Sequence, residues 1–185
     1  MGLWELMVIA VGVSMDAFAI AICKGLSVGK VEKKHLLSAG LWFGGAQALM
    51  PLLGYLLGSS FQSAIESVDH WFSFALLAGL GINMIRESRG KAKTLDASFS
   101  AKAMFPLAVA DSIDALAVGV TFAFLEVNII PAILMIGLTT FLFSAAGIKI
   151  GNKFGARYKS RAEFAGGLIL IVMGLLILLK HTGIV

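Results

Sequence analysis

The sequence predicts an all-α integral membrane protein with six transmembrane helices arranged as two inverted three-helix repeats. Three observations carry that expectation. The 185 residues are 58% hydrophobic and 14% charged, with mean hydropathy +0.91, whereas soluble domains carry about 25% charged residues. The apolar residues gather into six segments separated by polar connections. The first three segments then recur, feature by feature, in the last three.

The first span, Leu3–Ile22, has no basic region ahead of it and carries Asp16, so it reads as a membrane helix and not as a cleavable signal peptide. The second, Leu36–Leu57, contains Gln47 and Pro51. The third, Trp71–Arg86, is short and expected to stand upright, since a helix needs about 20 residues to cross hydrocarbon. A polar, charged stretch from Glu87 to Lys102, broken by Gly90, reads as a linker. The fourth span, Met104–Leu125, carries Asp111 and Asp114; the fifth is Ile129–Ile150 and the sixth, again short, is Phe164–Leu179. The expected organisation is one membrane transport domain over 1–185, with repeat one at 1–86, linker 87–102 and repeat two at 103–185.

Charge predicts orientation. Lys24, Lys30, Lys33 and Lys34 follow the first span; Arg86, Arg89, Lys91, Lys93 and Lys102 follow the third; Lys149, Lys153, Arg157, Lys159 and Arg161 follow the fifth. Of 15 basic residues only Lys180 falls on the other side. Basic loops stay cytoplasmic, so both termini are expected outside. Split over three short loops without an aromatic platform, these charges do not suggest nucleic-acid binding.

The repeat is clearest at residues 14–21, SMDAFAIA, and 112–119, SIDALAVG. Gly44, Gly54 and Gly58 recur at the same separations as Gly137, Gly147 and Gly151, and Ala78-Gly79 matches Ala165-Gly166. Each unit has an odd number of crossings, so the second must enter from the opposite face, as in many secondary transporters. An aspartate in such a span costs about 2.5–3.5 kcal/mol on insertion scales and is by default functional. Asp16 and Asp114 are therefore the first candidates for a polar site at the repeat interface.

The copies differ in charge. Asp111 stands one turn before Asp114, where the first copy has Val13. Two carboxylates so close are expected to share a proton or a bound cation. Pro51 lacks an N–H and so frees the carbonyl of Gln47, which adds a backbone oxygen to an amide side chain at membrane depth. The glycine register places Thr140 opposite Gln47 and Ser144 opposite Pro51, while Asn83 has Leu170 as its counterpart. Asp16, Asp114, Asp111, Gln47, Asn83 and Thr140 form an all-oxygen candidate set. Such ligands suit Mg²⁺, Ca²⁺ or Mn²⁺ better than Zn²⁺ or Cu⁺.

Several classes lose their essential parts. His35, His70 and His181 lie at span ends, which argues against a haem subunit. Neither HExxH nor a phosphate-binding Gly-x-x-x-x-Gly-Lys-[Ser/Thr] occurs, nor the Gly-x-Gly-Asp of an intramembrane aspartyl protease. No enzyme and no resident cofactor are expected, and the lone Cys23 excludes an internal disulfide. An exporter of a small organic cation or amino acid is the competing transport reading. A non-transporting membrane scaffold is the competing reading of another class. The small residues around both aspartates favour a bare ion, and the scaffold leaves the duplicated acids unexplained.

The segments SMDAFA, DSIDALAVG and FGGAQALMPLLG (Phe43–Gly54), with the short basic linker, resemble the MntP-type manganese efflux pumps within the wider lysine-exporter-like group. The resemblance covers essentially the whole chain. It implies a bacterial inner-membrane exporter with Mn²⁺ as transported substrate, and marks the membrane acids and Gly25 as important. Members of that family can carry Glu where this chain has Gln47, and Asp111 is not a fixed part of the motif. One acid has then moved from the second span to the fourth. Expelling a divalent cation against an inside-negative potential costs about 4.6 kcal/mol per 100 mV, twice the single-charge value. Without a nucleotide site, protons are the expected coupling ion and alternating access the expected mechanism. The remaining expected partner is the bilayer; a homo-oligomer is compatible with the sequence.

Overall fold

A computed structural model describes residues 2–65, 69–89, 97–154 and 159–181. Among them the chain is all helical: α1 (Leu3–Ser27), α2 (Lys33–Ile65), α3 (Asp69–Ser88), α4 (Ala101–Asp111), α5 (Ile113–Phe124), α6 (Ile129–Phe154) and α7 (Lys159–His181). Among the described residues three helices are long and apolar enough to cross a membrane: α1, α2 over Lys33–Ser60, and α6. A fourth span is completed if α4 and α5, bent by 43° at their junction, count as one. The protein is thus a multi-pass membrane protein by length and composition.

The sequence predicts one unbroken helix over Met104–Leu125; the structure divides it at Ser112. Local hydrogen bonds shape the junction. The Ser112 amide reaches the carbonyls of both Ala108 (3.1 Å) and Val109 (3.2 Å), tightening the last turn of α4. Its hydroxyl donates back to Ala108 at 2.7 Å, a bond that bends helices. The Ala115 amide then turns to Oδ1 of Asp114 at 2.9 Å.

Helix ends explain the connections. Lys34 hydrogen-bonds Glu32 at 2.9 Å just ahead of α2 and holds that exposed carboxyl below the usual range. Between α5 and α6 the Val127 amide reaches Phe122 O and the Glu126 amide reaches Ala123 O, a Schellman closure. Glu126 takes the left-handed position there, at φ 51°, which glycine usually fills. Asn128 Oδ1 then accepts from the Ile130 amide at 3.2 Å to start α6.

Packing crosses the two sequence halves. The principal partners of α1 are α6 and α7, those of α2 are α6 and α5, and that of α3 is α7, while α1 and α2 touch only at their margins. Glycines allow these approaches. A Cβ at Gly25 would strike the Ile148 carbonyl, one at Gly151 the Ile22 carbonyl, one at Gly54 the Leu116 carbonyl and one at Gly119 the Pro51 carbonyl. With no hydrophobic force between helices in lipid, close backbone contact is what holds such pairs together.

Two apolar clusters form the interior. The first contains Ile9, Ala10, Val13, Leu77, Ala115, Val118, Phe122, Ile136 and Leu170, with Met50 packed against it. The second contains Ala17, Ala21, Ala39, Phe43, Met104, Ala108 and Ile148. They sit towards the N- and C-terminal ends of α1 respectively.

Candidate functional site

Between the two clusters lies a layer of buried polar side chains. Residues three or four apart share a helix face. Ser14 stands three before Ala17, Gln47 four after Phe43, Asp111 three after Ala108, and Ser144 four before Ile148. In the other direction Ala10, Met50, Ala115 and Ile136 lie one turn from Ser14, Gln47, Asp111 and Thr140. The layer therefore has an apolar floor and an apolar ceiling. Ser14, Gln47, Ser112, Thr140 and Ser144 are fully buried, and Asp111 is 3% exposed.

Two pairings are defined within it. Ser14 donates its only proton to Ala10 O at 2.6 Å, so Thr140 must be the donor in the 2.8 Å contact between the two hydroxyls. On the opposite side Gln47 Nε2 makes long contacts of 3.4 Å with both the carbonyl and Oδ2 of Asp111. Gln47 Oε1 and Ser144 Oγ are buried with no hydrogen-bond partner. Burying such a group unpaired costs about 1–3 kcal/mol, so these two oxygens mark a place kept polar against stability.

Asp16 and Asp114 are each half-buried, two residues beyond the layer serines Ser14 and Ser112. Asp114 occupies the first turn of α5, where the helix dipole favours a carboxylate. Asn83 stands apart, exposed on α3, while Leu77 on another face of that helix is buried in the core. Among the described residues no group of three or more His, Cys, Asp or Glu could hold a metal ion. The layer is built mainly from neutral oxygens.

The family model described as "Putative manganese efflux pump" matches residues 30–178. The chain belongs to this family. It is a transporter family, not an enzyme family. A protein of Desulfitobacterium hafniense (strain Y51) named "Putative manganese efflux pump MntP" is 61% identical over 99% of this chain and 97% of its own length. Proteins with the same name from Acetivibrio thermocellus and Campylobacter jejuni (strain RM1221) are 58% and 49% identical, over 98% of this chain in each case and 92% and 98% of their own. No solved structure matches the chain.

Within this family member, the structure brings Asp111, Gln47 and Thr140 into one layer, with Asp16 and Asp114 at its edge and Asn83 outside it. Ser144 was legible only as the counterpart of Pro51; its burial and missing partner are new. Lys24 also differs from its sequence reading as a loop charge. It lies in the last turn of α1, fully buried, donates to Ser98 O at 2.8 Å and stands 5.3 Å from the Phe99 ring centroid. Phe99 in turn stacks on His35 and its carbonyl accepts from Ser38. The end of the linker is thereby pinned against α1 and α2.

Proposed function

We propose that this chain exports Mn²⁺ from the bacterial cytoplasm by alternating access, as a six-span inverted repeat. The observation that carries the reading is the buried oxygen layer between two apolar clusters, flanked by Asp16 and Asp114. The names of the relatives supply the ion. Hard and borderline divalent cations prefer carboxylate, amide and hydroxyl oxygens. A transport site must also bind weakly enough to release, which a few carboxylates among neutral oxygens allow.

Matched contacts support the repeat. Gly147 lies against Phe18 as Gly54 lies against Leu116, and Gly151 against Ile22 as Gly58 against Val120. Gly44 and Gly137 each face the other's carbonyl, where an in-plane pseudo-two-fold axis would pass. In this reading the loops bearing Lys30, Lys93 and Arg157 are cytoplasmic and both termini are external.

The ion enters from the cytoplasm and exchanges water for Asp16, Asp114 and Asp111, with Gln47 and Thr140 completing the shell. The cluster around Phe43 and Ile148 closes the cytoplasmic path, and the cluster around Phe122 and Leu170 closes the outer one. Alternate loosening of the two moves the ion outward. Protons taking the vacated carboxylates restore the inward-facing state and supply the energy. Fully buried Ala17 and Ala115 next to the aspartates leave the surroundings small, which favours a bare ion over an organic cation.

The test is metal content in cells lacking all other manganese exporters. Expression should lower Mn²⁺ several-fold under manganese excess and leave Zn²⁺ and Cu unchanged. Equal loss of Zn²⁺, or unchanged Mn²⁺ with the protein in the membrane, would overturn the reading.

A further inference from the structure

We infer that Ser144 is a ligand of the transported ion and helps set its selectivity, an inference that rests on the export reading above. Three observations converge on it. First, Ser144 is fully buried and its hydroxyl has no hydrogen-bond partner. A helical serine can usually satisfy itself on the carbonyl four residues back. Ser14 does so on Ala10, Ser112 on Ala108, and Thr121 likewise on Ala117. Ser144 alone of these buried hydroxyls does not, so its proton and lone pairs are left without a protein partner.

Second, its direction is fixed by its neighbours on α6. Thr140 meets Ser14, Gly147 lies against Phe18 and Ala21, and Phe141 lies against Gly40 and Gly44. Ser144 is one turn from Thr140 and from Gly147, and three residues from Phe141. It therefore faces the junction of α1, α2 and α6, at the level of Asp16–Ala17. Third, Gln47 Oε1, likewise buried without a hydrogen-bond partner, belongs to the same layer. A neutral hydroxyl oxygen at that junction adds a ligand without adding charge. It thus helps bind a hard divalent ion without trapping it.

Stability and transport separate at Ser144, because an unsatisfied buried hydroxyl contributes nothing to folding. In the full-length protein, Ser144→Ala should unfold in detergent at or above the wild-type temperature, since alanine is the better helix former and buries no polar atom. Its apparent KM for Mn²⁺ in proteoliposomes should nevertheless rise about tenfold, as loss of a metal-site group does. Ser144→Cys should lower Mn²⁺ transport similarly and gain Cd²⁺ transport over both wild type and Ser144→Ala, since a thiolate prefers the softer ion. Unchanged Mn²⁺ kinetics in both variants would overturn the assignment. So would a lowered unfolding temperature in Ser144→Ala, or loss of Mn²⁺ transport in both variants with no gain of Cd²⁺, because each is a packing effect. Failure of the wild type to transport Mn²⁺ would instead remove the export reading itself.

Discussion

The segments SMDAFAIA and SIDALAVG are nearly the same sequence, yet they build different backbones. The first lies inside the continuous α1; the second is broken at Ser112 between α4 and α5. Both serines bond back to the carbonyl four residues earlier, at 2.6 and 2.7 Å, so that bond alone does not break a helix. The difference lies at the preceding position. Val13 is buried among apolar neighbours, whereas Asp111 is met by Gln47 at both its carbonyl and its carboxylate. A side chain that engages a backbone carbonyl competes with the helical amide for it, and the Ala115 amide bonds Asp114. Of two nearly equal segments, the one preceded by an acid is the bent one.

If the two aspartates remain equivalent despite that difference, Asp16→Asn and Asp114→Asn should each abolish Mn²⁺ export while the protein reaches the membrane at normal level. Asn keeps the volume and removes the charge that the layer needs. Wild-type protection of cells by either variant would mean that the copies have diverged in role as well as in shape.

Asp111 is where they differ, so its effect should be smaller and specific to the bent half. Asp111→Asn should reduce export about tenfold. Adding Gln47→Glu should recover part of it, because the facing residue then supplies the lost charge. Equal activity of the single and double variants, with normal expression, would show that position 111 acts through the backbone break alone.

The smallest effect belongs to Asn83 and its counterpart. Leu170 is fully buried and Asn83 is exposed. Asn83→Leu should change export by less than about twofold, the range of an ordinary surface substitution. A tenfold loss, measured as initial efflux rate, would bring α3 into the ion's path.

Composition and spacing made the membrane helices and the paired aspartates legible. The glycine register anticipated that Gly54 and Gly147 would occupy matching places, because close backbone approach leaves a visible demand for the smallest residue. The break at Ser112 was not legible. Its cause is a contact from Gln47, distant in sequence, and a serine two residues before Asp reads alike in both copies. Ser144 was hidden for the opposite reason. A lone serine in an apolar helix can satisfy itself on its own backbone, so only the missing hydrogen bond sets Ser144 apart. Asn83 looked deep because it sits within an apolar span, but a span's mean hydropathy says nothing about which face meets the core.

The cross-half packing also governs the order in which the protein can be assembled. Among the described residues α1, α2 and α3 find their main partners in α5, α6 and α7. During synthesis α1 and α2 thus emerge before the helices they pack on exist, with Gly25, Gly54 and Gly58 still uncovered. Intermediate stages gain little tertiary stability until α5 and α6 arrive to cover α2 and α1. Later still, α7 closes over α1 and α3 together, so the packing of the first half is completed only by the second.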